Sequence, residues 1–211
     1  ADAGKKLTVK VTAKRSGYAS QPKTSAAKTV AKGTFSTAPT PKISGTVKVG
    51  KTVSVTVGTW SPSASFTYQW YRSGTAISGA TSKSYKLVAA DAGKKLTVKV
   101  TAKKSGYTSK SKTSAAKTVA KATFTTAPAP TISGTLKVGS TLTATPGTWS
   151  PTPSSFTYQW YRGDTAISGA TKATYKLVSA DKGKTIKVKV TAKKSGYTNK
   201  AKTSVKTTAI K

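Results

Sequence analysis

The sequence contains no cysteine, no histidine, no methionine and no glutamate. Without cysteine, no disulfide can form and no thiol nucleophile exists. Histidine and cysteine are also the usual ligands of zinc, copper and iron, and histidine is the usual proton shuttle. We therefore predict that the chain has no metal site and no cofactor.

Carboxylates are almost as scarce. The only acidic side chains are four aspartates, namely Asp2, Asp91, Asp164 and Asp181. Three of them stand at or near turns with the pattern Ala-Asp-x-Gly-Lys, so they cannot readily supply the paired carboxylates of a glycosidase. A serine–lysine dyad is formally possible, but such a lysine must be buried to act as a base, and the pattern places these lysines in solvent. The sequence therefore predicts no catalytic residue and no enzyme.

Long apolar runs are missing as well. No stretch approaches the roughly 18 apolar residues of a membrane-spanning helix, so we expect no membrane insertion. No signal-peptide pattern opens the chain. We expect residue 1 to follow upstream domains of a longer chain, because the first residues have the sequence of the middle of a repeat.

The chain contains an internal repeat. The motif Ala-Asp-x-Gly-Lys, followed by alternating lysine and aliphatic residues, begins at Ala1, Ala90 and Ala180. A period of about 90 residues fits a sandwich domain and is too long for a solenoid repeat. Residues 38–126 and 127–211 are predicted to be complete units, and residues 1–37 match only the second half of a unit. Proline-containing segments at 37–41 and 126–130 mark the predicted boundaries.

Each complete unit contains short runs in which apolar and polar residues alternate. In the last unit, Phe156, Tyr158 and Trp160 point to one side of a strand. Further along, Ile186, Val188, Val190 and Ala192 alternate with Lys187, Lys189, Thr191 and Lys193. About seven short strands separated by turns, with no amphipathic helical stretch, predict an all-β sandwich.

The longest motif shared by the two complete units resembles that of a known family of repeats. Tyr-Gln-Trp-Tyr-Arg, then Thr-Ala-Ile-Ser-Gly-Ala-Thr, then Ala-Asp-x-Gly-Lys occur in both complete units. The chain resembles the tandem bacterial immunoglobulin-like repeats of secreted Gram-positive, especially actinobacterial, surface proteins. The resemblance implies tandem sandwiches without disulfides, an extracellular location at the cell surface or cell wall, and Trp70 and Trp160 as the core tryptophans of strand C. Such repeats serve as stalks, adhesive modules or wall-anchoring tails, so the fold alone does not fix the function.

The charge is one-sided. The 37 lysines and arginines, of which only three are arginine, outnumber the four acids and give a formal net charge of +33. The alternation turns lysines outward on strand F, beside the outward tyrosine of strand C in the same sheet. We predict a polyanion-binding face made of Lys95, Lys99, Lys103, Lys187, Lys189, Lys193, Tyr71 and Tyr161.

The predicted partners are repetitive anions. Lysine lacks the bidentate fork that arginine presents to phosphates and base edges, so base-specific DNA recognition is not expected. Many weak lysine contacts suit anionic cell-wall polymers, either teichoic-type or acidic polysaccharide, and would also hold extracellular DNA non-specifically. The alternative is a structural spacer or adhesive module whose lysines provide solubility and keep strand edges from pairing.

Other residues allow two interpretations each. Trp60 and Trp149, in Gly-Thr-Trp-Ser-Pro, are either sugar-stacking platforms or packing residues, and we favour packing. The tyrosines of the Ser-Gly-Tyr turns, Tyr18, Tyr107 and Tyr197, are either ligand contacts or anchors of the hairpin loop, and we favour the anchor. Arg162-Gly163-Asp164 spells an integrin-type tripeptide, for which a plain turn is the simpler explanation.

The chain contains three second halves of the repeat but only two first halves, so two ways of pairing the halves are possible. In the unshifted pairing, which we favour, each sandwich closes within its own unit, so that Val98 and Val100 lie against Trp70. In the shifted pairing, residues 1–37 complete residues 38–89, and Leu7, Val9 and Val11 lie there instead. We also predict that Trp70 and Trp160 are buried and that Tyr71 and Tyr161 are exposed.

Overall fold

The computed structural model describes residues 2–211, and its regular structure is almost entirely β-strand. In these residues the helical elements are two short 3-10 turns, Ala89–Asp91 and Ser179–Asp181. Contacts divide the chain into two compact units. The first comprises the described residues of Ala1–Thr46, with Thr52–Lys86 and Lys94–Thr118, and the second comprises Val47–Lys51, Leu87–Gly93 and Val119–Lys211. The repeat boundaries at residues 38 and 127 stay a prediction.

The N-terminal half-repeat forms a hairpin within the first unit. Its strands are β1 (Lys6–Leu7), β2 (Lys10–Ala13), β3 (Gln21–Thr24) and β4 (Lys28–Thr29). Two antiparallel pairs, β1 with β4 and β2 with β3, hold it together. All of these strand residues are exposed.

The rest of the first unit contains two antiparallel sheets. Their strands are β5 (Lys42–Ser44), β6 (Thr52–Thr56), β7 (Ser65–Arg72), β8 (Thr75–Ala76), β9 (Ser84–Lys86), β10 (Lys95–Lys103), β11 (Lys110–Thr113) and β12 (Lys117–Thr118). One sheet has the order β5-β6-β9, and the other has the order β11-β10-β7-β8, with β12 also paired to β10.

The second unit repeats this arrangement. Its strands are β13 (Thr131–Ser133), β14 (Thr141–Thr145), β15 (Ser155–Arg162), β16 (Thr165–Ala166), β17 (Thr174–Lys176), β18 (Ile186–Lys193) and β19 (Lys200–Thr203). The sheet orders are β13-β14-β17 and β16-β15-β18-β19. In immunoglobulin nomenclature these sheets are A-B-E and C′-C-F-G. The predicted fold class, tandem immunoglobulin-like sandwiches without disulfides, is therefore confirmed.

A tryptophan at the middle of strand C is the centre of each core. Trp70 and Trp160 are fully buried, as predicted, and each stacks on a tyrosine of the opposite sheet, with ring centroids 5.8 Å apart for Trp70–Tyr85 and 5.7 Å for Trp160–Tyr175. Around Trp160, the buried aliphatic residues are Leu142, Leu177, Ile186, Val188, Val190 and Ile210. Because the strands alternate, one strand contributes every second residue to this core.

The strand pairing is unshifted. Val98 of β10 stands opposite Trp70 of β7, and Val188 of β18 stands opposite Trp160 of β15. Residues 90–118 therefore complete the sheet of residues 38–89, as we favoured. Leu7, Val9 and Val11 are 50%, 60% and 62% exposed, which excludes the shifted pairing.

Candidate polyanion-binding face

Three predicted lysines project from one side of β10, at every fourth residue. Lys95, Lys99 and Lys103 are exposed, whereas the residues of β10 that point to the other face are buried. Residues four apart on a strand share a face, and their backbones lie about 13 Å apart. The strand therefore presents an evenly spaced row of ammonium groups to solvent.

The tyrosines of the face are half-buried, so the prediction that they are exposed is wrong. Tyr71 stands between two neighbouring strands, opposite Thr97 of β10 on one side and Ala76 of β8 on the other. Tyr161 has the corresponding neighbours Lys187 and Ala166. Strand C is an inner strand of its sheet, and residues on both flanks cover part of any side chain on it.

No exposed carboxylate accompanies the lysines of the first complete repeat. Residues 38–126 contain fifteen lysines and arginines and a single carboxylate, Asp91. Asp91 is fully buried, and its Oδ2 accepts a 2.7 Å hydrogen bond from the backbone N–H of Val88. Bases thus outnumber acids by fifteen to one in this repeat, and its single carboxylate does not lie at the surface.

The last repeat presents fewer free lysines. Lys189 and Lys193 are exposed on β18, in positions that correspond to Lys99 and Lys103. Lys187 is half-buried: its Nζ lies 5.4 Å from the ring centre of Tyr161 and 2.6 Å from Oδ1 of Asp164. Of the six predicted lysines, Lys187 therefore has its charge most directly offset by a carboxylate.

Asp164 is bound by two lysines. Its Oδ1 accepts a hydrogen bond from Lys187, and its Oδ2 accepts one of 3.1 Å from Lys206. These hydrogen bonds, the one from Lys187 first, hold the pKa of Asp164 below its ordinary value. The alternation pattern does not pair these residues, because Lys187 and Lys206 lie 23 and 42 positions from Asp164 in the sequence.

A buried aspartate joins the two halves of the last repeat. Asp181 is fully buried, and its Oδ1 accepts a 2.6 Å bond from Nε of Arg162. Its Oδ2 accepts bonds of 2.8 Å from the hydroxyl of Tyr175 and the backbone N–H of Val178. The bond to Asp181 raises the pKa of Arg162, and burial, followed by the same carboxylate, raises the pKa of Tyr175. Asp181 is a structural residue, which the turn pattern alone did not reveal.

These contacts also concern the Arg-Gly-Asp tripeptide. Arg162 is bound to the buried Asp181, and Asp164 is bound to Lys187 and Lys206. Both charged side chains of the tripeptide therefore have internal partners. This favours the plain-turn interpretation over receptor binding.

The tryptophans of the Gly-Thr-Trp-Ser-Pro loops are packing residues. Trp60 and Trp149 are each 5% exposed, and their Nε1–H groups donate 3.0 Å bonds to the carbonyls of Val57 and Pro146. A stacking platform for sugars needs an open ring face, which these side chains lack. The packing interpretation that we favoured agrees with the structure.

Two phenylalanines that the sequence analysis overlooked cover these tryptophans. Phe35 lies edge-on to Trp60, with centroids 5.6 Å apart, and Phe124 lies edge-on to Trp149 at 5.4 Å. Both phenylalanines occur in the same motif, Thr-Phe-x-Thr-Ala-Pro, at residues 34–39 and 123–128. The repetition of this motif is the sequence feature that could have identified them. We call each arrangement of phenylalanine, tryptophan and turn tyrosine a linker socket.

The turn tyrosines differ between copies. Tyr107 and Tyr197 are half-buried and lie 5.7 and 5.4 Å from Phe35 and Phe124, between ring centres. Tyr18 is 68% exposed, and its ring contacts the guanidinium of Arg15 at 4.9 Å. The anchor role therefore applies to Tyr107 and Tyr197.

Among residues 2–211, no three acidic, histidine or cysteine side chains cluster so that they could hold a metal ion. Within the same range, no helix is both long enough and apolar enough to cross a membrane.

No protein-family model and no curated protein matches this chain. Among solved structures, it is similar to a D1–D4 ectodomain fragment of ICAM-5, with 19% identity and a TM-score of 0.44 over 80% of this chain and 52% of that one. It is also similar to three N-terminal domains of the highly immunogenic outer capsid protein of bacteriophage RB49, with 18% identity and a TM-score of 0.35 over 78% and 57%. A third is the tandem immunoglobulin repeats of Dlar, with 17% identity and a TM-score of 0.24 over 81% and 93%.

The chain spans little more than half the length of the first two of these structures. The assignment of an immunoglobulin-like sandwich depends on the strand order and register described above.

Proposed function

We propose that this chain is a non-catalytic module that binds anionic polymers of a cell surface through the lysines on strand F of its sandwiches. The observation that carries the proposal is the excess of bases over acids in residues 38–126. These residues hold fifteen bases, and their one carboxylate is fully buried. Solubility alone is achieved at less cost in self-repulsion by mixed charges, so a one-signed surface points to a partner of opposite sign.

The geometry of the lysines suits a flexible polyanion. Lys95, Lys99 and Lys103 form a row on β10, and Lys189 and Lys193 have the corresponding positions on β18 of the other unit. Each lysine presents a point charge rather than a planar fork, so the contacts select for charge and spacing rather than for a particular base or sugar. Several such contacts release several counterions, which gives affinity that depends strongly on salt.

The chemistry favours phosphate-rich or uronate-rich polymers of a bacterial cell wall as the partner class. The regular row matches a chain of repeating anionic units, and two rows on one chain add avidity. This partner implies an extracellular, wall-associated location, to which the resemblance also points. DNA outside cells would be held through its phosphates without regard to sequence.

The test compares two variants of the full chain that carry the same charge. In the first, five exposed lysines of strands F become glutamine: Lys95, Lys99, Lys103, Lys189 and Lys193. In the second, the control, five exposed lysines in or near the A-B-E sheets become glutamine: Lys42, Lys83, Lys86, Lys172 and Lys176. Binding of each to poly(glycerol phosphate) teichoic acid is measured by calorimetry between about 50 and 200 mM salt.

We expect the strand F variant to lose at least about tenfold in affinity at low salt and to show a shallower salt dependence, because fewer counterions are released. The control should retain the slope of the unchanged chain. Equal losses in both variants would mean that total charge, and not this face, binds the polymer. Binding that is insensitive to salt would contradict the electrostatic mechanism altogether.

A structural spacer is the second candidate, and the linker sockets favour it. In the first unit, the N–H of Gly33 donates to the carbonyl of Gly106, and the N–H of Thr108 donates to the carbonyl of Gly33, both at 2.9 Å. Ala122 makes the same two bonds with Gly196 and Thr198. A linker fixed in this way suits a stalk. A chain that binds no polyanion yet keeps both sockets protected from hydrogen exchange would support the spacer.

A further inference from the structure

Asp164 is the single exposed aspartate of residues 38–211. The other two aspartates of this range, Asp91 and Asp181, are fully buried, whereas the side chain of Asp164 is 77% exposed. Asp164 lies in the turn between β15 and β16 and accepts a hydrogen bond from Lys187. The exposed acid of the two complete repeats is therefore bound to a lysine of the candidate polyanion-binding face.

Two lysines hold the two oxygens of this carboxylate. Nζ of Lys187 lies 2.6 Å from Oδ1 of Asp164, and Nζ of Lys206 lies 3.1 Å from Oδ2. A phosphodiester resembles a carboxylate in this respect, because two unbridged oxygens share its negative charge. The two ammonium groups are therefore already arranged around one anionic group, and that group is the protein's own carboxylate.

The first complete repeat lacks this arrangement. Gly74 has the turn position of Asp164, between the paired ends of strands C and C′. Thr97 has the strand position of Lys187. The acid and the lysine that binds it are present together in one repeat and absent together from the other. Lys187 is thus one half of a specific pair and differs from the other lysines of the row.

A polymer can exchange with this carboxylate. Ion pairs at the surface contribute little to stability, because water screens both partners. Asp164 also lies in a turn, so its side chain can leave the lysines without breaking a strand pair. A polymer that is held by several other lysines keeps its next anionic group close by, which favours replacement of the aspartate.

We propose that Lys187 and Lys206 form an anion-binding subsite that Asp164 occupies in the free protein, so that Asp164 competes with the anionic polymer for the last repeat. An anionic group of the polymer displaces the aspartate and binds between the two ammonium groups. This inference rests on the proposed function and extends it. Residues 38–126 bind the polymer without such a competitor, and the last repeat binds it more weakly.

The experiment uses the full chain in which Lys95, Lys99 and Lys103 are changed to glutamine, so that the row on β10 does not mask the last repeat. In this background, Asp164→Asn is compared with Asp2→Asn. Both changes remove the charge of one exposed carboxylate and keep the size of the side chain. Affinity for poly(glycerol phosphate) teichoic acid is measured by calorimetry at about 50 mM salt.

We expect Asp164→Asn to raise the affinity at least about threefold, because the polymer no longer has to displace a carboxylate from two ion pairs. Asp2→Asn should change it by less than about 1.5-fold, because Asp2 holds neither Lys187 nor Lys206. Equal affinities of the two variants would overturn this inference alone, since net charge would then explain any gain. If neither the unsubstituted chain nor any variant bound the polymer, both the inference and the proposed function would be wrong.

Removing the lysines adds a second criterion. When Lys187→Gln and Lys206→Gln are combined with Asp164→Asn, the gain in affinity should disappear. A gain that survives would show that Asp164 does not act through these two lysines. In the chain that keeps Asp164, the nitrogen NMR signals of both ammonium groups should shift on addition of the polymer, and unchanged signals at saturation would show that the polymer does not enter the subsite.

Discussion

Residues 5–29 and residues 94–118 share most of their sequence, yet they have opposite relations to solvent. In the later copy, Leu96, Val98, Val100 and Ala102 are at most 1% exposed, and in the earlier copy the apolar residues are exposed. Both copies form the same hairpin register, with Lys10 opposite Thr24 and Lys99 opposite Thr113. The same local sequence therefore adopts the same hairpin register in both copies, whereas burial depends on a partner strand.

The difference shows how the stability of this fold is distributed. An isolated two-stranded hairpin is marginal in water, because its apolar face gains nothing until a third strand covers it. In the complete repeats the third strand is β7 or β15, and each brings a tryptophan. The first half of a repeat thus provides the contacts that turn a hairpin into a folded domain.

Removing the core tryptophan should have the largest effect. Trp160→Ala leaves a cavity among Val188, Val190 and Leu142 and removes the 2.9 Å bond from Nε1–H to the carbonyl of Lys172. Truncations of this size cost about 3–5 kcal/mol in protein cores. The loss is measured as the change in the free energy of urea unfolding, with amide exchange at Val188 as the probe of the last repeat.

The control for this variant is Thr157→Ala, on the same strand but exposed. Its effect should stay within about 0.5 kcal/mol. A loss below about 1 kcal/mol for Trp160→Ala would mean that the last repeat does not depend on strand C in the way that the comparison requires.

A matched pair of leucines tests the comparison directly. Leu96→Ala should cost about 2–5 kcal/mol, because the side chain is fully buried, whereas Leu7→Ala should change stability by no more than about 0.5 kcal/mol. The two leucines occupy the same position of the motif and are 1% and 50% exposed. Both changes in the free energy of unfolding are measured by chemical denaturation. Equal changes in Leu96→Ala and Leu7→Ala would contradict the difference in burial.

A matched pair of aspartates should show a smaller difference. Asp181→Asn weakens the acceptor of Arg162, Tyr175 and Val178, and we expect a loss of about 2–3 kcal/mol because these donors lose a charged partner. Asp2→Asn, at the same position of the motif in the hairpin, should leave thermal unfolding unchanged. An unchanged melting temperature in Asp181→Asn would show that the buried carboxylate does not stabilise the last repeat.

Alternation along single strands predicted much of this structure. Period-two runs placed Trp70, Trp160 and the aliphatic residues of strand F in the core and turned Lys95, Lys99 and Lys103 outward. These predictions held because a strand in a two-layer sandwich has one buried face, so the pattern and the environment correspond.

Contacts between distant segments were not predictable in the same way. The half-burial of Tyr71 depends on strands on both sides of it, and the partners of Asp164 and Asp181 come from other strands. The linker sockets depend on Phe35 and Phe124, whose sequence context shows repetition but not location. Alternation describes one strand at a time, and these features arise where several strands meet.

The smallest expected effect concerns a position that is Thr8 in the hairpin, Thr97 in the first complete repeat and Lys187 in the last. Lys187 lowers the pKa of Asp164, so the carboxylate stabilises the fold above its ordinary pKa of about 3.8, and this contribution is lost as the pH falls through the lowered value. Lys187→Thr makes the last repeat like the other copies and should raise the pKa of Asp164 toward its ordinary value, with Lys206 keeping part of the shift. Because the carboxylate is exposed, 1 M salt should reduce the difference between the two proteins. Carbon NMR titration of the Asp164 carboxyl measures both effects, and an identical titration in Lys187→Thr would show that the ion pair does not persist in solution.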